Sequence, residues 1–127
     1  MDITAFSKSV TVAPRKVRLV ADTMRKQKAE EALQKLYFIK NRGATVLSKT
    51  LKSAIANAVN NGNLKKENLI IKSIDIMDGT ALKRYHPSTR GSVHPYKKRT
   101  SHIRITLEDK TVEIKSLPIK KLEEEKV

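Results

Sequence analysis

The chain has 127 residues, 27 lysines and arginines against 13 acids, a formal charge of +14, and an isoelectric point near 10.2. That length suits one domain with a modest core, and the charge points to a polyanionic partner, nucleic acid or an anionic membrane. The absence of cysteine excludes a disulfide scaffold or thiolate metal site, and no apolar run nears the roughly 20 residues of a spanning helix. The start, Met-Asp-Ile-Thr-Ala-Phe-Ser-Lys, lacks the basic-then-apolar order of a signal peptide, so a cytoplasmic chain without membrane attachment is expected. With aromatic residues at 4% and no tryptophan, backbone and shape contacts to nucleic acid are expected over stacking on an aromatic platform.

In chain order, residues Ile3 to Val12 alternate loosely and read as an edge strand of a small sheet. Pro14 then occupies a first helical position, where its fixed φ and missing N–H cost nothing. Val17, Val20, Ala21 and Met24 follow at helical spacing, while Arg15, Lys16, Arg18, Arg25 and Lys26 fall mostly off that stripe, giving an amphipathic helix with a basic outer face. A second helix is predicted from Ala29 to about Ile39. Glu30 and Glu31 lie in its first turn, where the helix dipole favours anions, and Ala32, Leu33, Leu36 and Tyr37 are read as facing in. The third helix carries the clearest pattern: Asn41 as cap, then Ala44, Leu47, Leu51, Ala54, Ile55 and Ala58, with Asn61-Gly62 as a left-handed stop. Asn57 and Asn60 read equally as surface residues or RNA contacts.

Two strands follow, Leu69–Met77 and Ser101–Leu107. The second alternates strictly, Ile103, Ile105 and Leu107 against His102, Arg104 and Thr106. Between them, Gly79 to Arg99 contains no acid, six cations (Lys83, Arg84, Arg90, Lys97, Lys98, Arg99) and the turn formers Pro87, Ser88, Gly91 and Pro95. If both strands run on into this stretch and turn around Thr89-Arg-Gly-Ser92, each arm reaches roughly 33 Å at ~3.3 Å per residue. A body of this size has a radius of gyration of about 14 Å, so the hairpin, about residues 78–102, must protrude. A ribbon with like charges and no apolar face is marginal in water and orders only inside a polyanion. The fold class expected is α+β, three helices packed on a small three-stranded antiparallel sheet with a long protruding β-hairpin.

Four blocks, Ala13-Pro-Arg-Lys-Val-Arg-Leu-Val20, Leu51-Lys-Ser-Ala-Ile-Ala-Asn-Ala58, Leu82-Lys-Arg84 and Lys98-Arg-Thr-Ser-His-Ile103, resemble in order and spacing the uL22 family of large-subunit ribosomal proteins, L22 in bacteria. The resemblance covers residues 3 to about 108. It implies a ribosomal domain over 1–108 and a structural constituent of the large subunit that takes part in its assembly. Its hairpin would thread through large-subunit (23S-type) rRNA to line the peptide exit tunnel, beside ribosomal protein uL4. Nascent polypeptide and macrolides are the implied neighbours of the tip. The chain departs from the bacterial pattern at His86, Ser88 and Ser92, positions often arginine, and at Ala13, where a capping serine is usual. Residues 109–127 form an extension of mixed charge, read as mobile or partner-binding, with Thr111-Val-Glu-Ile114 as a further strand candidate.

By resemblance and charge together, Arg15, Lys16 and Arg18 on the first helix, and Lys83, Arg84, Lys97, Lys98, Arg99, His102 and Arg104 along the hairpin, are assigned to rRNA phosphates. Arginine's planar fork bridges two phosphate oxygens where lysine acts as a point charge. Ser88, Thr89, Arg90, Gly91 and Ser92 are assigned to the tunnel-facing tip, where Gly91 supplies a backbone angle the turn requires. For any one of these cations the competing reading is a solvated charge; as a set they read as an interface. No cofactor and no homo-oligomer is expected. His86, His94 and His102 recur at eight-residue steps unsuited to metal ligation, with no acids nearby, and no grouping of acids suggests an enzyme. The rival is an architectural DNA-binding protein, with the first two helices and their Lys26-Gln-Lys28 joint mimicking a helix-turn-helix.

Overall fold

The computed structural model describes residues 1–110; the Thr111–Ile114 strand candidate and the rest of the extension lie outside the described residues. Strand β1 (Asp2–Val10) leads into helix α1 (Pro14–Asp22), followed by α2 (Ala29–Phe38), α3 (Arg42–Gly62), β2 (Leu69–Asp78), β3 (Leu82–Pro87), β4 (Val93–Lys98) and β5 (Ser101–Asp109). β1, β5 and β2 form an antiparallel sheet in that order, while β3 and β4 pair only with each other. The fold is the α+β arrangement expected, with β1 at an edge and β5 in the centre.

One face of the sheet carries the core. Ile103, Ile105 and Leu107 of β5, Leu69, Ile71 and Ile74 of β2 and Ala5 of β1 are buried against the helices. Each large aliphatic side chain taken out of water contributes roughly 1.5–3 kcal/mol. Helix α3 crosses this face and supplies Ala44, Leu47, Leu51, Ala54 and Ala58. Asn41 caps its start by accepting from the Gly43 amide at 3.4 Å, and Asn57 donates to the Thr4 carbonyl at 3.4 Å, which ties the helix to β1. The left-handed residue that ends it is Asn63 (φ 50, ψ 32), one position past the predicted Gly62. Gly43 lies where α1 and α3 approach closely: a Cβ there would meet the Lys16 carbonyl oxygen at 3.3 Å and Val17 Cα at 3.4 Å.

Helix α1 buries Pro14, Val17, Val20 and Ala21; its N-cap, Ala13, offers no side-chain bond, as the missing hydroxyl predicts. Helix α2 ends one residue before the predicted Ile39 and buries Ala29, Ala32 and Leu36. Tyr37, expected to face in, is instead 85% exposed. The narrow stripe of two alanines and one leucine suffices to seat the helix, and position 37 falls outside it. The joint between α1 and α2 is stitched to the sheet: the Ile71 amide donates to the Gln27 carbonyl at 3.0 Å, and Lys28 bridges Ile70.

The hairpin does not continue the body's ladder unbroken. The last pair of the body is Asp78↔Ser101, and the separate arm begins at Leu82↔Lys98. Between them the Gly79 amide donates to the Thr100 carbonyl at 2.8 Å and the Thr100 hydroxyl donates to the Thr80 carbonyl at 2.7 Å. This root requires glycine, since a Cβ at position 79 would run into Thr100 Oγ1 and sit 3.1 Å from its backbone.

Candidate nucleic-acid interface

Six residues on each side pair in the arm, about 20 Å of ladder at the strand rise, and every one of them is exposed. Alternation of side chains across the ribbon puts Lys83 directly opposite Lys97 and Arg84 opposite Tyr96. Like charges facing each other oppose the pairing. The one close aromatic contact along the arm is the stack of His86 on Tyr96, ring centroids 4.1 Å apart. At the tip the Ser88 amide donates to the Ser92 carbonyl at 2.8 Å, closing a short loop in which Arg90 (φ 57) and Gly91 (φ 71) are both left-handed. Ser88, Thr89, Arg90, Gly91 and Ser92 thus form the apex, and Gly91 takes the angle anticipated for it.

The other assigned cations occupy three places. Arg15 and Lys16 are exposed on the first turn of α1. Arg18 reaches the root of the arm, donating to the Ile76 carbonyl at 3.0 Å and to Asp78 Oδ1 at 3.3 Å, so part of its fork is engaged within the protein. His102 and Arg104 lie on β5, on the body's outer sheet face and not along the arm. His102 Nδ1 accepts from the Ser9 amide at 2.9 Å, where β1 bulges and Ser9 turns left-handed (φ 52). Accepting there leaves Nε2 to carry the ring's proton in the neutral form. Arg104 and Lys8 flank the Phe6 ring, at 5.6 and 5.8 Å from its centroid. Of the assigned cations, only Arg18 has a carboxylate partner among the described residues.

Sequence reading missed Arg42 and Lys40. Arg42 opens α3, and with Lys16, Lys98 and Arg99 it lines a concavity of about 290 Å³ whose walls also include Thr11, Val12, Ala13 and Asn41. This hollow joins the first helix, the third helix and the base of the arm, elements far apart in the chain. Four cations without an intervening acid concentrate positive charge there. Among the described residues no group of three or more histidines and acids is placed to hold a metal.

A comparison with protein-family models matches residues 5–108 to the family described as ribosomal protein L22p/L17e. The chain belongs to that family. Its members are structural proteins of the large ribosomal subunit, not enzymes, and membership places this L22-type protein in the ribosome, in the cytoplasm. The match begins within β1 and ends within β5, so it takes in all three helices and the whole arm of the L22-type fold. No described helix is long and apolar enough to cross a membrane.

Proposed function

We propose that this L22-type protein, through its domain 1–108, holds large-subunit rRNA along one basic surface running from α1 to the arm, and so contributes to subunit assembly. The arm is threaded among RNA segments, and its apex, Ser88 to Ser92, stands at the wall of the peptide exit tunnel beside uL4, within reach of nascent polypeptide and macrolides. The observation that carries this reading is the arm itself: a ribbon with every residue from 82 to 98 exposed, no acid, and facing lysines. Such a ribbon lacks the apolar face that would order it in water, and surrounding phosphates supply the counter-charge its own sequence omits. Lys83, Arg84, Lys97, Lys98 and Arg99 neutralise phosphates along and below the arm. Arg15, Lys16 and the free part of Arg18 do so on α1, and His102 and Arg104 extend the surface over the outer sheet face. The helix-turn-helix alternative is disfavoured by the α1–α2 joint, whose backbone is bonded to β2.

Sucrose-gradient sedimentation of a lysate in moderate salt tests the reading. Co-migration with the large subunit that persists through several hundred millimolar salt is the expected result, because an enclosed protein resists salt that strips simple surface electrostatics. Recovery at the top of the gradient, or with DNA, overturns it.

A further inference from the structure

None of the five aromatic residues lies in the core, which is built of alanine, valine, leucine, isoleucine and methionine. Aromatic side chains are large apolar bodies that folding ordinarily uses. Here Phe6 is held between Lys8 and Arg104, and Tyr96 is stacked on His86. Tyr37 and Phe38, 85% and 81% exposed, stand at the end of α2 edge to face, 6.0 Å apart, with no other ring or cation stacked on them among the described residues. Of the two, Tyr37 lines a furrow with Leu36, Ile39, Lys40, Arg42, Thr45 and Ser48, which shares Asn41 and Arg42 with the basic hollow at the base of the arm.

The two concavities form one track. It starts at Lys98 and Arg99, passes Lys16 and Arg42, reaches Lys40, and ends at Tyr37, with the Phe38 ring 6.0 Å beyond; no acid lines it. Charge decides the occupant. An apolar protein surface pressed onto the rings would strip water from Lys40 and Arg42, which have no carboxylate partner among the described residues, and burying an unpaired cation is costly. A nucleic-acid strand meets both demands at once, with phosphates for the cations and a base face for the ring.

We propose that this track holds a single-stranded RNA segment whose phosphates lie on Lys98, Arg99, Lys16, Arg42 and Lys40 and whose unpaired base stacks on Tyr37 or Phe38. The inference rests on the rRNA-binding reading and adds a second site, running from the base of the arm to the end of α2, with a different chemistry. Stacking on an aromatic face tolerates any base, so the site selects an unpaired nucleotide by its accessibility and not by its identity.

Two measurements on the full-length chain test it. Large subunits carrying the protein are irradiated with ultraviolet light, digested, and searched for nucleotide adducts on the tryptic peptide Leu36–Lys40. The affinity of the purified full chain for protein-stripped large-subunit RNA is then compared with that of a Tyr37→Ala/Phe38→Ala variant, whose changes touch only exposed side chains. An adduct on that peptide and roughly tenfold weaker binding by the variant are expected, with adducts on the arm retained. Lys40→Ala/Arg42→Ala lowers the slope of log affinity against log salt by about two. Arm adducts without an adduct on Leu36–Lys40 and with unchanged affinity in the ring variant overturn the proposal, as do amine cross-links from Lys40 to a neighbouring protein in place of RNA. Absence of the wild-type chain from large subunits, with no adduct anywhere, overturns the rRNA-binding reading beneath it instead.

Discussion

Lys72 shows how a single side chain can clasp a whole sheet. It sits in β2 where the register with β5 slips between Ile71 and Ser73. Its ammonium group donates to Asp2 Oδ2 on β1 at 2.7 Å and lies 3.8 Å from Glu108 Oε2 on β5, so the three strands meet at one cation. The hydrogen bond from Lys72, helped by its charge, holds the Asp2 carboxyl below its ordinary value; the bond to Asp2 and that carboxylate's charge hold Lys72 above its own. The signs define a window. The contribution from Asp2, a lowered acid, is complete above the ordinary carboxylate range and is lost as pH falls through the folded value. The contribution from Lys72, a raised base, is complete below the ordinary lysine range and is lost as pH rises through the folded value. The difference in Tm between wild type and Lys72→Met is therefore expected to be constant around neutrality and to close in acid. An equal difference well below the carboxylate range would assign the effect to packing of the lysine stem. Nothing in the sequence announces this clasp, because its members are separated by 36 and 70 positions and carry no local pattern.

At the scale of the element, the arm and the body obey different rules. Body strands are fixed by the buried row Ile103, Ile105 and Leu107 and by α3 above it; the arm has ladder bonds and one stacked ring pair, with no buried side chain. Local opening free energy follows such contacts. Amide exchange in the free protein is expected to be fast from Lys83 to Lys98 and slow from Ile103 to Leu107, with the arm slowing once the protein is on RNA. Slow exchange throughout the arm in the free chain would show that its own interactions order it. The arm was legible in the sequence because a run without acids or core residues between two alternating strands has few other uses. Its division at Gly79–Thr100 was not, since the break is set by a backbone bond and a threonine hydroxyl across the ribbon. Helices α1 and α3 were legible from their period and from Pro14 and Asn41. For α2 the apolar run in the sequence is one residue wider than the stripe that is buried, so the pattern turns Tyr37 inward where the fold exposes it.

For the molecule as a whole, the basic surface is assembled from elements that lie far apart in the chain. Charge counting found the arm and α1. It could not find the hollow, because Lys16, Arg42, Lys98 and Arg99 become neighbours only when α1, α3 and the arm's base are folded together. The cations below the apex outnumber those within it, since Arg90 alone carries charge from Ser88 to Ser92. Deleting Ser88–Ser92 is accordingly expected to leave incorporation into large subunits intact and to change macrolide sensitivity; failure to incorporate would make the apex a main anchor.

The wholly aliphatic core has an optical consequence. With no tryptophan, and with Tyr37, Tyr85 and Tyr96 all on the surface, the chain's intrinsic emission comes from chromophores that water already reaches. Unfolding the body removes little shielding from them, whereas contact with nucleobases covers them directly. If the proposed RNA contacts hold, tyrosine fluorescence is expected to report occupancy and not folding, and a melting curve followed by that signal to be nearly featureless even as the helices, watched by far-ultraviolet circular dichroism, come apart.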